Sequence, residues 1–204
     1  MKVASPSQTL GLWIAARIMV AVALVAGMAT TVAAEVRTTT QLRSYSVSGS
    51  TSKSLVSYMR SRPLRGDSGS AVANIRPTYR FSAPAKMSGG TCRAPKVTLN
   101  INFVMTLPRA RSESAMAPST RNAWRTFVAF SKRHEEWHKR SYIQCGNAFV
   151  AKAQRMTSKS CAGLQVSVRR LLESEKRSCE LKQRAFDRRE YNRINSLSLF
   201  RMAR

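Results

Sequence analysis

The sequence predicts an α+β fold, a small antiparallel sheet packed against a long C-terminal helical hairpin. Three observations predict it. Val97, Leu99, Ile101, Phe103 and Met105 alternate with Thr98, Asn100 and Asn102, the period of a half-buried strand. A stretch from about Ser119 to Met156 has no internal proline and a single glycine, Gly146, and so can form one long helix. After the turn-like "TSKSCAG", a segment from about Leu164 to Asn192 is rich in Leu, Glu, Lys, Arg and Gln, which favour helix. Two long helices joined by so short a loop run antiparallel.

The elements follow in order. Residues 1–34 read as a signal peptide. Lys2 and Arg17 precede the apolar run from Ile18 to Ala34, and Val32 and Ala34 are small residues placed for cleavage after Ala34. That run is at the short limit for a membrane anchor, and no later stretch is apolar enough to span a bilayer, so no stable span is expected after cleavage. The remainder, 35–204, is read as a single domain, mainly strands over 35–118 and a helical hairpin over 119–195. "LRSYSVSG" alternates as a strand and stops at Gly49. "STSKSLVSYMRSR" is a brief helix, capped by Ser50 or Thr51, with Leu55, Val56 and Met59 on its apolar face, ending before Pro63. "LRGDSGSAV" is a turn-rich loop, and "VANIRPTYRFSA" a strand that Pro77 makes an edge or a bulged one. "KMSGGT" is a turn, the alternating strand is expected to stop at Pro108, and "RARSESAMAPS" is a polar connector.

The exported portion carries 33 basic residues against 10 acidic, a net charge of +23. Such a surface attracts polyanions in a salt-dependent way, and an anionic envelope component is an expected partner. Nucleic acid is not, because the chain is exported and lacks any aromatic-basic recognition pattern. Cys92, Cys145, Cys161 and Cys179 make an even count in an exported chain, which reads as two disulfides. A Cys145–Cys179 bond would pin the hairpin, with Cys145–Cys161 and pairings of Cys92 left open.

The two histidines of the chain lie in "SKRHEEWHKRSY", as the H-E-x-x-H sequence His134, Glu135, His138. Four residues apart on a helix, the imidazoles stack on one face and can share one Zn²⁺ ion. Glu135, rotated about 100° away, is not a ligand but a general base for the water that zinc activates. Phe127, Phe130, His134, His138, Ser141, Cys145 and Phe149 fall on one stripe, so the histidines interrupt an inward apolar face. A catalytic zinc site needs a third protein ligand, and with no third histidine it must be an acid. In the hairpin the histidines lie opposite roughly residues 178–186, which leaves Glu180, Asp187 and Glu190 as candidates that spacing does not separate.

These features resemble a bacterial family of predicted secreted zinc-dependent proteases, long catalogued as a domain of unknown function. The resemblance runs through "YSVSGSTSKSLVSYMR", "KVTLNINFVMTLP" and "AWRTFVAFSKRHEEWHKRSYIQC" to Cys161, Cys179 and the aromatic-Asp-x-x-Glu segment "FDRRE". It implies His134 and His138 as zinc ligands and Glu135 as catalytic base. It also implies Glu190 as the leading third ligand and Asp187 as the second candidate, as ligand or as orienter of a histidine. The expected function is that of a secreted or periplasmic zinc metallopeptidase acting on peptide or protein substrates. The competing expectation is a non-catalytic, cationic envelope protein that binds polyanions.

Overall fold

A computed structural model describes residues 35–66 and 69–204. The signal peptide expected over 1–34 lies outside the described residues. Strand β1 (Glu35–Val47) leads through Gly49 into helix α1 (Ser52–Ser61). Gly49 has φ of 132°, and a Cβ there would lie 2.5 Å from Ser54 Oγ, so both backbone and space require glycine. Thr51 is the N-cap: its Oγ1 accepts from Ser54 N at 3.2 Å, and Ser54 Oγ accepts from Thr51 N at 3.1 Å. This reciprocal pair is a capping box with serine in the acidic position. Leu55, Val56 and Met59 are buried, as their spacing required.

The stretch expected as a loop is instead a small hairpin of β2 (Leu64–Gly66) and β3 (Gly69–Ala71). Strand β4 (Asn74–Ser82) follows, then the hairpin β5 (Lys86–Ser88) and β6 (Thr91–Arg93), which turns on Gly89 and Gly90 at φ 55° and 73°. Strand β7 (Thr98–Ala110) is the centre of a three-stranded sheet of order β1-β7-β4. Pro77 does sit on an edge strand. Pro108 does not end β7. The β4 pairing stops at Asn74–Thr106, so by Pro108 the strand has only β1 beside it and a missing N–H costs no bond on the open side.

The sheet is mixed rather than wholly antiparallel, because β1 runs parallel to β7 from Glu35–Thr98 to Val47–Ala110. The intervening helix and hairpins give the chain length to return and start β7 beside the start of β1. A single 3-10 turn (Glu113–Ala115) precedes helix α2 (Pro118–Gln154), which has proline in its first turn. A two-residue strand β8 (Thr157–Ser158) adds to β6, and Ser160 then caps helix α3 (Cys161–Asn195) by accepting from Gly163 N. A last short helix, α4 (Ser198–Arg201), buries Leu199 and Phe200.

The molecule is thus α+β, with α2 and α3 packed as an antiparallel hairpin beside the sheet. One core joins Leu99, Ile101, Phe103 and Met105 of β7 to Phe149 and Val150 of α2 and to Leu164, Val168 and Leu172 of α3. A second joins Leu55, Val56 and Met59 to Trp124, Phe127, Leu199 and Phe200. Gly146 lets α2 approach the sheet, since a Cβ there would lie 3.0 Å from Ile101 Cδ1 and 3.1 Å from Leu99 Cδ2. Disulfides join Cys92 to Cys161 and Cys145 to Cys179. The first ties the β5–β6 hairpin to the start of α3. The second staples α2 to α3.

Candidate metal centre

Below Phe127, the inward stripe of α2 continues through Phe130, His134, His138 and Ser141 to Cys145, as the 3.6-residue period demands. On α3, Cys179, Gln183 and Asp187 are each four residues apart and form the facing stripe. The antiparallel helices bring the two into register. Cys145 meets Cys179 in the disulfide, Ser141 and His138 meet Gln183, and both histidines meet Asp187.

Asp187 Oδ1 lies 2.9 Å from His138 Nε2 and 3.3 Å from His134 Nε2, and the two nitrogens are 3.0 Å apart. Three atoms that each offer a lone pair converge on one point. So close together they repel unless a proton or a cation is shared among them. A tetrahedral ion with ligands at roughly 2.0–2.2 Å holds its ligand atoms about 3.3–3.6 Å apart, so the triangle fits one face of such a site once it opens by a few tenths of an ångström. The group His134, His138 and Asp187 can hold a metal ion.

Gln183 fixes the nitrogen that His138 presents. It has no exposed surface, and its Oε1 lies 2.7 Å from His138 Nδ1. Its Nε2 donates to Ser141 Oγ at 2.9 Å. With the amide so oriented, Nδ1–H is the donor to Oε1, and the lone pair of His138 stays on Nε2, facing Asp187 and His134. Burial pushes the His138 pKa down. Hydrogen bonds to Asp187 and Gln183 and the charges of Glu135 and Asp187 outweigh it, and the net direction is up. His134 Nδ1 is buried without a hydrogen-bond partner.

Aromatic rings close the back of the site. Trp137 and Phe186 stack at 3.6 Å between centroids, and Phe186 lies 4.8 Å from His134 and 5.2 Å edge-on from His138. Phe130 lies 6.2 Å from His134 between ring centroids. Only 11% of the His134 side chain and 6% of His138 are exposed, against 22% of Asp187. Glu135 is also buried, and with His134, His138 and Asp187 it lines a cleft of about 810 Å³. Residues of β2, β3 and the start of β4 line the same cleft.

Of the three acids that spacing left open, the structure brings Asp187 to the histidines. Glu190, ranked first by the resemblance, stands outside the group and pairs with Arg193 Nη1 at 3.3 Å. The reason is helical phase: Asp187 stacks one turn above Gln183, whereas Glu190 lies three residues on and about 60° off that line. Glu180 faces solvent. Tyr142 is buried against Phe103, and Tyr191 is exposed at the cleft. Gln183 shares its helix face with the acids in the sequence. Only the fold shows that it orients His138, because a neutral amide carries no sign of that task in the chain alone.

Among the described residues, no helix is long and apolar enough to cross a membrane. A family model described as "Bacterial protein of unknown function (DUF922)" matches residues 42–193, a span that contains both histidines, Glu135 and Asp187. Comparison with curated proteins and with solved structures gave no match.

Proposed function

We propose that this chain, which belongs to the bacterial family of unknown function DUF922, is a secreted or periplasmic zinc-dependent peptidase. The observation that carries the reading is the convergence of His134 Nε2, His138 Nε2 and Asp187 Oδ1 in a cleft that Glu135 also lines. Two imidazoles and one carboxylate are a donor set for a catalytic zinc, which leaves a position open for a further ligand. When bound there, the ion supplies Lewis acidity, lowering the pKa of a water and polarising a carbonyl oxygen.

The rest falls to the chain's own residues. His138 is held in one tautomer by Gln183, and His134 packs on Phe130 and Phe186. The aromatic wall excludes bulk water from the back of the group, which strengthens every charge interaction in it. Glu135, buried beside the histidines and on the cleft wall, accepts the proton of the water that attacks the peptide carbon. It then passes that proton to the departing nitrogen. The disulfides and the N-terminal signal pattern support export, since paired cysteines persist in oxidising compartments.

The test is peptide hydrolysis by zinc-loaded protein comprising residues 35–204. Glu135→Gln is expected to keep its zinc and lose at least about a hundredfold in kcat/KM, the scale of a lost general base. Full activity in Glu135→Gln would refute the assignment. The reading as a non-catalytic envelope protein predicts instead that no peptide is cleaved at all.

A further inference from the structure

The cleft has a charge pattern of its own. Its floor is apolar, formed by Met59, Ile75, Phe130 and Phe200, all buried. Around that floor stand Arg60, Arg65, Arg76 and Arg188, all exposed. The acids that line the cleft among the described residues are Asp187, which belongs to the histidine group, and Glu135, which is buried beside it. Among the described residues, several other carboxylates pair with bases of their own: Glu190 with Arg193, Glu175 with Lys152, Glu113 with Arg125 and Glu173 with Lys176. Arg76 is held by main chain, its Nη2 donating to the Arg65 carbonyl at 3.1 Å. The same carbonyl accepts from Asn74 Nδ2 at 2.9 Å, so the wall carrying Arg65 and Arg76 is braced before any ligand arrives.

We infer that the substrate is an acidic polypeptide segment, its carboxylates received by Arg60, Arg65, Arg76 and Arg188 and an apolar side chain by the floor between them. The inference rests on the peptidase reading and adds its substrate class. A volume of about 810 Å³ is in the range of ligand clefts. Guanidinium groups pair with carboxylates in a planar, two-bonded geometry, and charges of one sign lining a concave wall concentrate the opposite charge. A lysine- or arginine-rich segment would instead meet four like charges along the same cleft.

The overall positive charge of the chain would draw acidic peptides to any face, so the test separates the cleft from that background. Arg169 and Arg170 lie on α3, about 27 Å along the helix from Arg188 at 1.5 Å per residue. They border a different, shallower depression. Fluorescent glutamate-rich and lysine-rich peptides of matched length and apolar content are titrated into zinc-loaded Glu135→Gln protein at near-physiological salt, and the same pair is offered to the wild type for cleavage. The glutamate-rich peptide is expected to bind at least about tenfold more tightly, and Arg65→Glu and Arg188→Glu each to reduce that preference roughly tenfold. Arg169→Glu and Arg170→Glu are expected to leave it unchanged. Zinc content and thermal unfolding of each variant confirm an intact site. Equal binding of the two peptides, or equal losses from the cleft and the distal variants, would overturn the inference. Selective binding through the cleft arginines with no cleavage of either peptide would uphold the acidic ligand and remove the peptidase reading instead.

Discussion

Gln183 is the residue on which the candidate site turns. Its amide links His138 Nδ1, at 2.7 Å, to Ser141 Oγ, at 2.9 Å, in a place with no exposed surface. Gln183→Leu removes the acceptor and leaves His138 Nδ1–H unsatisfied, so the lone pair of Nε2 is no longer held toward the group. Zinc affinity is expected to fall about 10–100-fold, the usual effect of losing a partner that orients a ligand. Competition against a chelator of known affinity measures it, and an unchanged affinity would show that the amide only fills space. The same histidine sets a pH dependence. Burial lowers its pKa, but Asp187, Gln183 and Glu135 together raise it above the ordinary 6.5. A ligand must lose its proton to bind metal, so the proposed zinc binding is expected to weaken as pH falls through the raised value, an onset higher than for a free histidine. In metal-free protein the sign is opposite. A raised folded-state pKa adds stability that is fully present below the unfolded value and is lost as pH rises through the folded one. Melting curves with chelator and with zinc on both sides of neutrality should therefore trend in opposite directions with pH. Parallel trends would contradict the arrangement.

Among the elements, the α2–α3 pair was the most legible part of the sequence and also held its main ambiguity. The extent of α2 follows from its freedom from internal proline and that of α3 from its helix-favouring composition, while the inward stripe and the place of His134 and His138 on it follow from the helical period. The partner acid does not, because spacing fixes faces within a helix but not the rotation of one helix against another. The Cys145–Cys179 disulfide supplies that rotation. It puts Cys179, Gln183 and Asp187 on the contact line and leaves Glu190 off it. Replacing Cys145 and Cys179 with alanine together is expected to cost about 2–4 kcal/mol of stability. Zinc affinity should fall with it, since Asp187 and Gln183 ride on the stapled helix. Chemical unfolding and zinc titration of the double variant check both. Gly146 marks the other contact of α2. Gly146→Leu forces side-chain atoms into Leu99 and Ile101 and is expected to destabilise by about 1–3 kcal/mol, read as a lower denaturation midpoint. The hairpin of β2 and β3 escaped notice because its three-residue strands are short and rich in glycine and serine, which read as loop. Four-residue α4 is too short to show a period.

For the whole molecule, the α+β class was visible in the sequence, but the direction of the β1–β7 pairing was not. Alternation reports which face is buried and is the same for parallel and antiparallel neighbours. The strand order β1-β7-β4 leaves β4 on an edge, and its first residues line the same cleft as the histidines. The two cores meet α2 on either side of His134 and His138, so the candidate site lies where the helix passes from one packed region to the other. The positive charge was legible as a number, while the place where it surrounds a cavity required the fold. Zinc titration of metal-stripped protein comprising residues 35–204, alongside Asp187→Ala and Glu190→Ala, tests the account most directly. It predicts one zinc per chain in the parent and in Glu190→Ala, and at least about a hundredfold weaker binding in Asp187→Ala. A parent chain that takes up no zinc, or binding that survives Asp187→Ala and disappears in Glu190→Ala, would contradict it.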